Sequence, residues 1–154
     1  IGLLDYVMSH PEDYTYVDRS LAKNDQEARE YHAKNILSDY YLMSSNAFTA
    51  DGQLIDIDGN GNRVSCLCFG PKHVIIVVSM NKMCADVEDA YRRIRQDACP
   101  PNALRLNLDT PCAKTGYCAE CTSTSSICAS FVTTRMSRYP GRIKVILVGE
   151  PLGF

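Results

Sequence analysis

The run Val74 to Val78 is the longest apolar stretch in the chain, and it limits the fold more than any other feature. It falls far short of the roughly 20 residues a membrane-spanning helix requires. With His73 and Ser79 at its ends, it has the length and continuity of a parallel strand buried on both faces. Ile143 to Val148 reads as a second buried strand. Between them, Asp86 to Asp97 places Val87, Ala90, Tyr91 and Ile94 at helical spacing, and Pro100-Pro101 would end that helix. Strands alternating with helices imply an α/β fold: a layered parallel sheet flanked by helices.

The remaining segments fit the same scheme. Ile1 to Ser9 reads as the end of a helix stopped by His10-Pro11. Asn24 caps a polar helix that runs to about Leu37, with Asp25, Glu27 and Glu30 placed where the helix dipole favours acidic groups. Ala28, Tyr31 and Ile36 supply its inner stripe. Tyr40 to Met43 reads as a strand ending in Ser44-Ser45-Asn46. Gln53 to Ile57 and Arg63 to Phe69 flank the turn-forming Asp58-Gly59-Asn60-Gly61-Asn62, which predicts a β-hairpin with Cys66 and Cys68 on the Val64 face. Asp51-Gly52 marks another turn.

At 154 residues the chain is long enough for one domain, 1–154, with a real core, and no linker or internal repeat divides it. Its 16 basic and 18 acidic residues leave a net charge of −2, without the basic footprint that nucleic acid binding demands. No signal peptide pattern is present, so a cytoplasmic location is the default expectation. In that reducing compartment the 8 cysteines are not read as a disulfide framework. The chain starts at Ile1 rather than Met, which suggests a piece of a longer protein.

Four of the cysteines, Cys112, Cys118, Cys121 and Cys128, follow the spacing C-x5-C-x2-C-x6-C in a Thr/Ser/Gly-rich stretch with little to bury. Thiolates so close together suit a soft metal. Only Cys118 and Cys121 form a close pair, whereas a zinc ribbon or finger has two such knuckles. An iron-sulfur cluster held by a folded-over loop is therefore expected ahead of zinc. The alternative is a set of reduced, partly buried thiols with no metal. Asp56-x-Asp58-x-Asn60-Gly61 opens like a calcium loop, but the twelfth position is Leu67 instead of a bidentate Glu, so calcium is not expected.

In an open parallel sheet, ligands bind beyond the carboxyl ends of the strands. The predicted strands deliver Ser44, Ser45 and Asn46, then Asn81 and Lys82, then Glu150 to that edge, and Arg63 leaves the adjacent turn. Hydroxyl, amide, ammonium and carboxylate groups converging there suit a small anionic metabolite, with Arg63 able to make a bidentate contact. Lys82 and Glu150 are the candidates for chemistry. No Ser-His-Asp or Cys-His arrangement surrounds His10, His32 or His73, and no phosphate-binding glycine motif is present.

Several runs stand out in order along the chain: Ser-Ser-Asn-Ala-Phe-Thr-Ala-Asp-Gly from Ser44, Asp-Gly-Asn-Gly-Asn-Arg-Val from Asp58, Phe-Gly-Pro-Lys from Phe69, and Asn81-Lys82. Pro-Pro-Asn-Ala-x-Arg-Leu from Pro100, Thr-Pro-Cys-Ala-x-Thr-Gly from Thr110 and Val-Gly-Glu-x-Leu-Gly-Phe from Val148 continue the series. Together they resemble the lactate-utilization (LUD) domain family. The resemblance implies a Rossmann-like sheet of the ribose-phosphate isomerase, glucosamine-phosphate deaminase and CoA-transferase type. Members in lactate-utilization operons support oxidation of L-lactate to pyruvate beside iron-sulfur and ferredoxin-like partners. The family's N-terminal strand and helix, with a Gly-Gly-Ser-type loop, have no counterpart ahead of Ile1, and a homodimer would compensate an incomplete sheet.

Two functions are expected from this reading. One is an accessory role in L-lactate or organic-acid oxidation, with an anion in the strand-end crevice and an iron-sulfur centre at the cysteines. The other is a non-redox enzyme or binding protein of the sugar-phosphate or acyl-CoA type, in which Glu150 and Lys82 act on substrate and the cysteines are structural.

Overall fold

The structure is a computed structural model and describes residues 2–154. Helices α1 (Leu3–Met8) and α2 (Asp25–Ile36) come first. The α2 cap is the predicted one: the Asn24 side chain accepts from the Glu27 amide at 2.9 Å, and Glu27 Oε2 returns to accept from the Lys23 amide at 2.8 Å. Ala28, Tyr31 and Ile36 are half-buried. Ile1, at the start of the predicted first helix, lies outside the described residues.

Two sheets follow. In the first, β4 (His73–Ser79) lies between β1 (Tyr40–Met43) and β7 (Ile143–Val148), all parallel. Tyr40 stands opposite His73, and Val74 opposite Ile143. The second runs β5 (Met83–Cys84), β2 (Ala47–Thr49), β3 (Leu54–Asp58) and β6 (Ser130–Thr134). Here β3 pairs antiparallel with both β2 and β6, while β2 and β5 are parallel. The protein is thus a mixed α/β fold with a parallel sheet flanked by helices.

Every residue of β2 and β3 is buried, because the two faces of these strands feed two different cores. Ala47, Ile55 and Ile57 pack with Cys84, Ala90, Ile94, Ala98 and Cys99. Phe48 and Leu54 point the other way, against Leu67, Val74, Ile76 and Val78 of the parallel sheet. Burial of each Ile, Leu, Val or Phe side chain among these contributes about 1.5–3 kcal/mol. Alternation along the strands therefore binds the two sheets together.

The predicted hairpin is displaced. Asn62–Cys68 is helix α3, not a strand, and the hairpin joins β2 to β3 across Asp51-Gly52, where Gly52 takes φ +91°. The Asp58 carboxylate explains the helix: it accepts from the amides of Asn60, Gly61, Arg63 and Val64 at 2.9–3.3 Å, filling the orphan donors of the first turn. Gly61, at φ +75°, makes the sharp entry. Val64, Cys66 and Leu67 turn inward and Cys68 outward, so the two cysteines do not share a face. At the other end of α3, the Arg142 guanidinium donates to the carbonyls of Cys66, Leu67 and Pro71 at 2.7–3.0 Å.

Two further expectations change. Pro100-Pro101 does not end the helical stretch. After α4 (Val87–Arg93) a π-turn, Ile94–Ala98, leads directly into α5 (Cys99–Arg105), and the prolines occupy its first turn, where a missing N–H costs nothing. Strand β7 is an edge strand rather than a buried one: among the described residues it pairs only with β4, and Lys144 through Leu147 are exposed. The short helix α6 (Pro111–Thr115) opens the cysteine segment.

Candidate functional site

The chain leaves β1 and crosses to β2 through Ser44-Ser45-Asn46, so the end of one sheet is joined to the start of the other at this point. Ser45 is buried, and its hydroxyl reaches the Ala47 carbonyl at 2.9 Å and Asp56 Oδ2 at 3.2 Å. The Asn46 amide donates to Asp56 Oδ1 at 3.1 Å, and its side-chain oxygen accepts from the Ile57 amide at 3.0 Å. Asp56 is wholly buried on β3 and forms an ion pair with Arg63 at 2.5 Å. Burial raises its pKa, against the opposing pull of Arg63 and the hydrogen bonds.

Arg63 is committed to this scaffold. Its NH1 also donates to the Ser44 carbonyl at 3.1 Å, and its NH2 to Asn46 Oδ1 at 2.7 Å and the Ile57 carbonyl at 2.8 Å. The guanidinium thus stitches the β1–β2 crossover to β3 and α3. The bidentate ligand contact expected of it is already spent on protein acceptors.

Lys82 differs from its neighbours. A 3-10 turn, Met80–Lys82, after β4 carries it inward, leaving 7% of the residue exposed. Its Nζ has only long contacts, 3.4 Å to Ser44 Oγ and 3.3 Å to the Ser45 carbonyl. No carboxylate pairs with it among the described residues. Burial depresses its pKa, the cations Arg93 and Arg63 depress it further, and Asp56 offsets part of this. The C-terminal tail passes over it: a Cβ placed on Gly153 would lie 3.7 Å from Nζ. The Ser79 hydroxyl donates to the Glu150 carbonyl and anchors that tail.

The strand-end residues are therefore partly united. Ser44, Ser45, Asn46, Arg63 and Lys82 share one region. Asn81 is exposed and contributes its carbonyl to Arg93 Nε at 3.3 Å. The Glu150 side chain is exposed and makes no hydrogen bond or ion pair among the described residues.

Arg93 and Asp56 complete the region: sequence patterning did not single out Arg93, and it marked Asp56 only as the opening of a loop that resembles a calcium site. Arg93 NH1 donates to the Asn46 carbonyl at 3.0 Å, bringing a second cation beside Lys82. Its position three residues after the buried Ala90, at the flank of the α4 stripe, was the available signal. Asp56 sat in plain view as a carboxylate inside the apolar Leu54–Asp58 strand.

The LUD domain family matches residues 7–148. The chain belongs to the LUD domain family. That places it in a family related to lactate utilization. No curated protein and no solved structure matches it. Among the described residues of this LUD domain, no helix is long and apolar enough to cross a membrane.

The cysteine segment of the LUD domain holds a different arrangement from the one its spacing suggests. Among the described residues, no group of three or more His, Cys, Asp or Glu side chains is placed to hold a metal ion. Cys112 Sγ lies 3.3 Å from Thr110 Oγ1, and Cys118 Sγ accepts from the Glu120 amide at 3.5 Å. Cys128 Sγ instead meets Cys99 Sγ, at 3.5 Å. The hydrogen bond with Cys99, the Ser126 hydroxyl and Arg95 pull the Cys128 thiol down to about 6 against the effect of burial, while Cys99 is pushed up by that contact and by burial. A cavity of about 800 Å³ lies beside this segment, lined by Tyr91, Arg95, Tyr117, Cys118, Glu120 and Phe131 among others. Lys82 does not line it.

Proposed function

We propose that this LUD domain binds a small organic anion of the 2-hydroxy or 2-oxo acid class, L-lactate or pyruvate, at Lys82, as an accessory protein of organic-acid oxidation. The supporting observation is the Lys82 ammonium: it is nearly buried, lies beside two arginines and lacks a carboxylate partner among the described residues. A buried charge without a partner is costly, and an anion relieves that cost.

In this reading Lys82 Nζ donates to the ligand carboxylate, and the Ser44 hydroxyl, 3.4 Å away, meets a 2-hydroxyl or 2-oxo oxygen. Arg63, Asp56 and Asn46 hold the crossover in place. Arg93 adds positive field from α4. The iron-sulfur centre expected at Cys112, Cys118, Cys121 and Cys128 has no gathered donor set among the described residues, so no step is assigned to it.

Calorimetric titration with L-lactate, pyruvate, a sugar phosphate and acetyl-CoA tests the proposal. Saturable binding of the carboxylic acids, lost in Lys82→Met, supports it. Preference for the phosphate or thioester ligand transfers the site to the non-redox reading, and no binding of any of them overturns both.

A further inference from the structure

We infer that Cys99 and Cys128 are a redox-active dithiol that closes to an intramolecular disulfide. The two sulfurs lie 3.5 Å apart although 29 positions separate them in sequence. They come from different elements. Cys99 is the first residue of α5, packed in the core with Ala98 and Ile94, whereas Cys128 belongs to the segment leading into β6. Closing to the S–S bond length of about 2.05 Å takes an approach of about 1.5 Å, within reach of a side-chain rotation and a small shift of the irregular segment.

The other thiols are occupied differently. Cys112 contacts Thr110, Cys118 faces the open cavity, Cys66 is buried, and the Cys84 thiol, buried in the same core as Cys99, donates to the Lys82 carbonyl at 3.7 Å. Cys121 makes no hydrogen bond among the described residues. The spacing of the C-terminal cysteines pointed to a set within the segment, whereas the fold recruits Cys99 from outside it.

The two cysteines divide the chemistry by exposure. Cys128 is half-buried and meets the oxidant, and Cys99, at 5% exposure, waits behind it. With hydrogen peroxide as oxidant, the Cys128 sulfur attacks one peroxide oxygen and gives up its proton to the departing one. The O–O bond breaks, and a sulfenic acid and water form. The Cys99 sulfur then attacks the sulfenic sulfur; the S–S bond forms, the S–O bond breaks, and a second water leaves with the Cys99 proton. Two thiols lose two electrons and two protons, and one hydrogen peroxide becomes two waters. A dithiol reductant reverses the reaction by exchange.

The closed ring spans 29 positions and pins the end of the cysteine segment to α5. Constraining the unfolded chain over such a ring raises the Tm by about 5–15 °C. The test uses the full chain, purified anaerobically, assayed for iron and zinc, then exposed to hydrogen peroxide and mapped by non-reducing peptide mass spectrometry. A Cys99–Cys128 cross-link, a mass about 2 Da lower and a Tm rise reversed by dithiothreitol are expected. Cys99→Ser should instead accumulate sulfenic acid at Cys128, trapped by dimedone, and Cys99→Ala repeats the test where serine disturbs the core. Cross-links confined to Cys112, Cys118 and Cys121, eight thiols left free, or stoichiometric metal lost in Cys128→Ser would each overturn the inference.

Discussion

Replacing Lys82 with methionine keeps most of the side-chain volume and removes the charge. A charge-assisted hydrogen bond to a carboxylate is worth about 1.5–3 kcal/mol, so the variant should bind the anion about 10- to 150-fold more weakly. At a ligand concentration near 100 times Kd, the wild-type chain gains about 2.7 kcal/mol. In a protein of this size that is a Tm increase of about 5–11 °C. At the same concentration the variant should gain only about 0.3–1.4 kcal/mol, or about 1–6 °C. Without ligand the ordering changes. The ammonium has no carboxylate partner among the described residues, so its removal should leave stability unchanged or raise it. Thermal unfolding with and without pyruvate reads both quantities. A ligand-free Lys82→Met chain destabilised by more than about 2 kcal/mol would refute the reasoning, since the ammonium would then be serving the fold. An undiminished pyruvate shift would refute it from the other side.

The same group has a pH signature. The depressed pKa of Lys82 means that its penalty is fully present below the folded value. Between that value and the ordinary 10.5 the unfolded chain holds more protons, so stability should rise with pH, and the slope should be absent from Lys82→Met. Asp56→Ala should cost about 1.5–3 kcal/mol in denaturant unfolding, because it removes the buried carboxylate paired with Arg63 and leaves Asp58 at 3.8 Å as the remaining one, and a double variant with Arg63→Met should cost less than the sum. Gly70→Ala should destabilise by about 1–3 kcal/mol: Gly70 sits at φ +115°, and an added Cβ would approach the Ile36 carbonyl oxygen to 2.8 Å. Arg142→Met should lower stability by about 1.5–3 kcal/mol by freeing carbonyls at the end of α3, measured by the same unfolding.

Local signals in the chain carried much of this description. The apolar Val74 to Val78 run became the central parallel strand, and Asn24 capped α2, because both follow from contacts within a few residues. The strand-end polar residues Ser44, Ser45, Asn46 and Lys82 were legible for the same reason, since the ends of periodic segments mark the sheet edge. Asp58 is equally local: it makes the segment after the glycine turn a helix, α3, by capping amides 2 to 6 positions on, a signal the hairpin expectation passed over. Tertiary structure decided the rest. The exposure of β7 follows from its place at the edge of a three-stranded sheet, which depends on the spatial order of the strands and not on its own apolar pattern. Arg63 was read as a ligand group because its acceptors lie up to 19 positions away and meet it only after folding. Cys128 likewise found Cys99 across 29 positions rather than its sequence neighbours. Periodicity and capping are short-range, so sequence by itself determined the central strand, the α2 cap and the sheet edge. Partners for buried charges and thiols are chosen by packing between distant segments, and only the tertiary structure brings those segments together.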